Sequence, residues 1–191
     1  MSLLVRKITR NKWPNELVQK NNLSADVAGD FRSNNSLLSL WEIDSIEQIQ
    51  DAMLAIATSC DNISRMDFVI LESAGLSNIN VNIQQESSPN AYVSYSDKHW
   101  DMTNVTYESL GNIIAYAHKN MLKEGYHKRF KEKEVKKLLI KAIQDKKVEF
   151  DKLTERMKKY LAPDLGIKVQ KCPHCEKICC LNDGEKTYPI S

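Results

Sequence analysis

The stretch from Leu37 to Leu71 constrains the fold more than any other part of the chain. Leu37 to Ile43 is apolar on nearly both faces, the pattern of a strand covered on both sides. Asp44-Ser45 interrupts it, and Ser45 with Gln48 three residues later makes a capping-box pattern. Ile46, Ile49, Met53 and Ile56 then recur at helical spacing, in a stripe widened by Ala52, Leu54, Ala55 and Ala57. After Asp61-Asn62, the short apolar run Phe68-Val69-Ile70-Leu71 reads as a second strand. Strand, helix and strand in this order predict a β-α-β unit, right-handed if its strands pair in parallel. Trp41, Ile49, Met53, Phe68 and Ile70 are the predicted centre of its core.

The flanking segments add to this unit. Leu3 to Thr9 alternates, with Leu4, Arg6 and Ile8 on one face and Leu3, Val5 and Lys7 on the other. Trp13-Pro14 closes that strand, because proline has no ladder donor. Leu17-Val18 reads as the start of a short helix, and Asn21-Asn22 and residues 33–36 as turns. Between them, Asp26, Gly29, Asp30 and Arg32 form either a polar site at the sheet edge or a loop with local Asx caps. Ile79, Val81 and Ile83 alternate with polar residues, as do Ala91, Val93 and Tyr95, so a hairpin is expected there. Three helices follow, at Tyr107 to Leu122 ended by Gly125, at Lys131 to Gln144, and from Phe150 to Leu161 ended by Pro163. His118 borders the buried stripe of the first and reads as a structural histidine. The fold class is therefore α+β: a mixed β-sheet with a β-α-β unit, then a helical segment, then a small C-terminal cysteine knuckle. Three units are expected: a sheet domain over 1–125, a basic helical hairpin over 126–165, and a tail over 166–191.

Charge is segregated along the chain. The net charge is +2, but residues 1–117 carry −6, residues 118–171 carry +9 and residues 172–191 carry −1. Lys133, Lys136, Lys137 and Lys141 crowd the wet side of the second helix and are the candidate nucleic-acid-binding residues. The plainer reading is a solvated face with interspersed Glu. A helix-turn-helix reader is weakened by its second helix, where Lys152, Arg156, Lys158 and Lys159 are diluted by Asp151 and Glu155. Base reading would call for Arg, Asn or Gln at the groove. No apolar run approaches the roughly 20 residues of a membrane helix. Arg6 also breaks the N-terminal apolar run too early for a signal peptide. A cytoplasmic protein, away from membranes, is expected.

Five cysteines are present, and Cys172, Cys175, Cys179 and Cys180 fall within nine residues. An odd, clustered set suits a reducing compartment and metal binding rather than a disulfide framework. Cys172-Pro173-His174-Cys175 resembles a zinc-ribbon knuckle, and Ile178 to Leu181 followed by Asn182-Asp183-Gly184 and residues 185–190 reads as a small hairpin. The resemblance covers about twenty residues and lacks the second C-x-x-C of a full ribbon. Zinc would take Cys172 and Cys175, with Cys179 or Cys180, His174, another histidine or a second chain completing the set. Two copies sharing one ion would make a homo-oligomer.

Catalytic candidates are few. Asp97, His99 and Asp101 would share a face if extended and could offer hard ligands to a divalent ion. No Gly-rich phosphate loop is present. Two functions are compatible with this profile. The first is a non-enzymatic accessory subunit of an intracellular, bacterial-type multi-protein assembly, such as a phage-defence system, with protein partners and a nucleic-acid contact through the basic helices. The second is a metal-dependent phosphoesterase or nuclease using Asp97, His99 and Asp101 with Asp26 or Asp30.

Overall fold

The computed structural model describes residues 2–16, 24–32, 35, 37–171 and 178–181, the last two strands by their backbone alone. The fold is α+β, built on a six-stranded sheet: β1 (Leu3–Ile8), β2 (Leu38–Ile43), β3 (Met66–Glu72), β4 (Asn82–Gln85), β5 (His99–Thr103) and β6 (His127–Phe130). The strand order is β4-β5-β2-β1-β3-β6, and every ladder is antiparallel. β2 and β3 run in the same direction but do not pair, because β1 lies between them and bonds to both. The expected β-α-β unit is therefore a split one. The crossover helix is α1 (Ile49–Thr58), entered through a 3-10 turn at Ile46–Gln48. Ser45 makes no side-chain cap there; instead Gln48 Oε1 accepts from the Asp44 amide at 3.0 Å.

Helices cover both faces, which explains why β3 reads as a continuous apolar run. On one face Val5, Trp41, Phe68 and Ile70 meet Ile49 and Met53 of α1, as the sequence predicts. The same core takes in Val135 and Leu139 of α4 (Glu132–Gln144) and Met157 and Leu161 of α5 (Glu155–Leu165). On the other face Leu4, Ile8, Leu40, Val69 and Leu71 meet Ile113 and Ala117 of α3 (Tyr107–Met121). Phe31 and Val27, from a 3-10 helix over Ala25–Phe31, complete that side. A short helix, α2 (Ser73–Asn78), packs on α3 so closely that a Cβ at Gly75 would collide with the Tyr116 ring.

Several expectations are corrected. Residues Val93–Lys98 form a 3-10 helix, not a strand, so β4 pairs with β5 instead. The cause is packing: Tyr92 and Tyr95 stack at 5.4 Å, and Tyr95 reaches Trp41 at 6.1 Å. Pro163 lies inside α5; the helix ends at Gly166, which adopts the left-handed conformation (φ 68°) that costs glycine little. Gly125 serves the turn into β6, a short strand of mostly basic residues that periodicity does not reveal. β7 (Lys168–Lys171) pairs with β8 (Ile178–Leu181) in a separate two-stranded ladder. The expected partner of Ile178 to Leu181, residues 185–190, lies outside the described residues, as do the Leu17-Val18 and Asn21-Asn22 readings and the Cys172 to Cys175 knuckle.

Candidate nucleic-acid interface

α4 is the strongest candidate surface. Its apolar stripe, Val135, Leu139 and Ala142, is buried against α1, which turns the lysines outward. Lys133, Lys136, Lys137 and Lys141 line one groove of about 470 Å³, together with Ile140, Gln144 and Asp164. Lys136 is committed to α5: its Nζ lies 2.8 Å from Asp164 Oδ2 and 4.5 Å from the Tyr160 ring centroid. The hydrogen bond to Asp164 raises its pKa. Among the described residues Lys133, Lys137 and Lys141 make no ion pair. They stand at i, i+4 and i+8, so they form a row about 12 Å long at 1.5 Å rise per residue. The four lysines predicted from sequence are thus brought together, three of them with uncommitted charge.

The carboxylate candidates are only partly brought together. His99 and Asp101 sit on the same face of β5, both buried, with His99 Nε2 3.9 Å from Asp101 Oδ1. His99 Nδ1 donates to the Glu86 carbonyl at 3.2 Å, and the ring packs edge-on against Trp41. Asp97 is on the preceding 3-10 helix, where its carboxylate accepts from Ser87 Oγ. The Asp30 carboxylate accepts from the Thr9 amide and Trp13 Nε1, both at 2.7 Å. Asp26 lies in the first turn of the 3-10 helix that Ser24 caps: its amide donates to Ser24 Oγ. Among the described residues no group of three His, Cys, Asp or Glu side chains could hold a metal ion. Of the candidate zinc ligands, Cys172 and Cys175 lie outside the described residues, while Cys179 and Cys180 stand opposite Gln170 and Val169 in the β7-β8 ladder.

A cleft of about 520 Å³ does open beside His99, lined by Arg6, Lys7, Asp30, Ser59 and Cys60 among others. It arises because the β1-β2 ladder stops at Val5 and Trp41, although both strands continue. Arg6 crosses the gap, donating to the carbonyls of Ser39 at 2.9 Å and Asp30 at 2.8 Å. Burial lowers its pKa, opposed by Asp30 and Asp101. His118 is structural: it is buried, with Nε2 donating to the Pro14 carbonyl at 3.4 Å, and burial lowers its pKa.

Arg10, Asp67, His127 and Arg129 do not stand out in the sequence, and the sheet order gathers them at the β3-β6 edge. Their only signal in the chain was an isolated aspartate near the start of an apolar strand, and a His-x-Arg pair too short to show a period. The chain matches no protein-family model, no curated protein and no solved structure.

Proposed function

We propose that this chain is a non-enzymatic accessory subunit of a multi-protein assembly and that it contacts nucleic-acid backbone through α4. The observation that supports the contact most directly is the row Lys133, Lys137 and Lys141, uncommitted among the described residues, along one groove. Lysines on flexible stems make point-charge contacts with phosphates and read no bases, so the contact follows the backbone rather than the sequence. The reading includes zinc in the tail, held by Cys172 and Cys175 with help from Cys179 or Cys180. Metal content near one zinc per chain in reduced protein supports that part, and zinc-free protein purified without chelator removes it.

The test of the main reading is binding of labelled duplex and single-stranded oligonucleotides across a salt series. Replacing Lys133, Lys137 and Lys141 with Gln should flatten the log-log salt slope, by roughly 0.9 for each duplex phosphate left un-neutralised and 0.7 for each on a single strand. A parent protein that binds neither at low salt overturns the nucleic-acid contact. Metal-dependent phosphodiester hydrolysis by the purified chain, abolished in an Asp101→Asn variant, overturns the non-enzymatic reading.

A further inference from the structure

A second cationic site stands apart from α4. Asp67 is the second residue of β3 and is directly opposite Arg129 of β6 in the ladder, with His127 two residues along the same face. The Asp67 carboxylate is almost fully buried. Its Oδ1 accepts from Arg129 Nε at 2.7 Å and from His127 Nε2 at 3.2 Å, and Arg65 Nε is 3.4 Å from Oδ2. One buried carboxylate therefore holds two side chains, Arg129 by its inner nitrogen Nε and His127 by Nε2. The terminal nitrogens of Arg129 and Nδ1 of His127 are left without a hydrogen bond among the described residues.

Both side chains border an open pocket of about 700 Å³, shared with Arg10, Asn11, Trp13 and Asn15. Arg10 is pinned across a 3-10 turn: Nη1 donates to the Trp13 carbonyl at 2.7 Å and Nη2 to Asn15 Oδ1 at 2.6 Å. Its Nε–H and one N–H on each Nη remain for a ligand. Among the described residues no carboxylate lines the pocket. Arg10, Arg65 and Arg129 against Asp67 leave this corner with an excess of two positive charges.

We propose that Arg10, His127 and Arg129 form a binding site for the dianionic phosphate of a phosphomonoester. The two guanidinium groups keep several free N–H donors for the three terminal oxygens of a monoester, whereas a carboxylate or an internal phosphodiester presents two; His127 gives its Nε2 proton to Asp67 and adds a third donor, at Nδ1, only when protonated. Guanidinium groups suit the task because their planar fork grips two oxygens at once. Asp67 supplies the fixed geometry: with Nε of Arg129 anchored behind, the terminal N–H groups are held forward before any ligand arrives. The phosphate can belong to a small metabolite or to the end of a nucleic-acid strand, and the chemistry recognised is the same. The site does not depend on the lysine row of α4.

The test uses the full chain carrying Gln at Lys133, Lys137 and Lys141, so that α4 contributes little. Inorganic phosphate, ribose 5-phosphate, and a short single strand with a 5′-phosphate or a 5′-hydroxyl are titrated by calorimetry. Saturable binding of inorganic phosphate at one site per chain is expected, weakened at least about tenfold by Arg10→Gln, since a charge-assisted hydrogen bond contributes roughly 1.5–3 kcal/mol. Arg10 Nη1 also bonds the carbonyl of the buried Trp13, so the melting of this variant is compared with that of its parent, and Arg129→Gln is the second variant. Preference for the 5′-phosphorylated strand over both small phosphates assigns the site to a strand end. Equal or tighter binding of the small phosphates assigns it to a metabolite. Absence of saturable phosphate binding, or binding unaffected by Arg10→Gln, overturns the site.

Discussion

The two cationic regions differ in what holds their charges. On α4 the lysines are placed by apolar packing beneath them, through Val135 and Leu139, and the charged ends of Lys133, Lys137 and Lys141 are left to water. At the β3-β6 edge the arginine and histidine are placed by a buried carboxylate that bonds Arg129 Nε and His127 Nε2. The first arrangement fixes where charge lies along a helix but not how it is oriented. The second fixes orientation as well. A row of mobile point charges suits a long polyanion, whose phosphates are read only by spacing. An oriented set of donors suits one compact anion. Net charge alone does not distinguish the two regions; the hydrogen bonds behind the charges do.

The largest contrast should come from removing each support. Leu139→Ala takes a fully buried side chain from under the lysine row and should cost about 2–5 kcal/mol of stability. The protein that remains folded should bind polyanion as before, because the lysines are untouched. Asp67→Asn should cost less, about 1–3 kcal/mol, since Arg65 and Arg129 are both near half-exposed and can return to water. Its effect on phosphate should be the greater, a weakening of at least about tenfold. Denaturant melts paired with the two titrations measure all four quantities. A Leu139→Ala variant that no longer binds polyanion while folded, or an Asp67→Asn variant with intact phosphate binding, would show that the supports are not what separates the regions.

That contrast also marks what the sequence could reveal. The lysine row was legible because α4 carries its own evidence: Val135, Leu139 and Ala142 set the buried stripe, and 3.6-residue periodicity then puts the lysines opposite. The same holds for the strand, helix and strand between Leu38 and Glu72, whose apolar runs name their core partners directly. The phosphate pocket was not legible. Arg10, Asp67 and Arg129 are neighbours only because β1 slots between β2 and β3 and β6 is added outside β3. Strand order is a long-range property, and no local period encodes it. β6 itself was hidden because its four residues are mostly charged, as edge strands often are. The strand expected at residues 91–96 failed in the opposite sense. Alternation was present, but the Tyr92-Tyr95 stack and the Asn90 side chain, which accepts from the Tyr92 amide at 2.8 Å, make a 3-10 helix the better packed choice.

Exchanging the two cations between regions gives a smaller, cleaner effect. Arg129→Lys keeps the charge but cannot both hold Asp67 and present a forward fork, so phosphate binding should fall roughly tenfold. Lys137→Arg keeps a charge in the row and adds donors that nothing orients, so polyanion affinity should move by no more than about threefold. Parallel titrations of both variants decide this. Equal effects at the two positions would mean that orientation does not matter at the β3-β6 edge.

The smallest expected difference is in pH dependence. His127 has its pKa held below the ordinary 6.5, first by burial and then by Arg10 and Arg129, with Asp67 opposing. The groups facing it are Asp67 from β3, Arg129 from its own strand and Arg10 from the N-terminal turn, with Arg65 behind the carboxylate. A depressed histidine pKa stabilises the fold above 6.5, and that contribution is lost as pH falls through the lowered value, because the unfolded chain takes up the proton first. His118, lowered by burial, adds to the same trend. Stability should therefore decline between about pH 7 and pH 5. Anion binding at the pocket should run the other way, since a protonated His127 turns Nδ1 into a donor and an anion offsets the repulsion from Arg10 and Arg129. Sulfate keeps its charge across this range, so its affinity should rise severalfold from about pH 7.5 to pH 5.5, while oligonucleotide binding to the lysine row, whose groove holds no histidine among the described residues, should stay flat. His127→Gln retains a donor for Asp67 and should remove the rise without removing binding. A rise that survives in this variant would place the titrating group elsewhere.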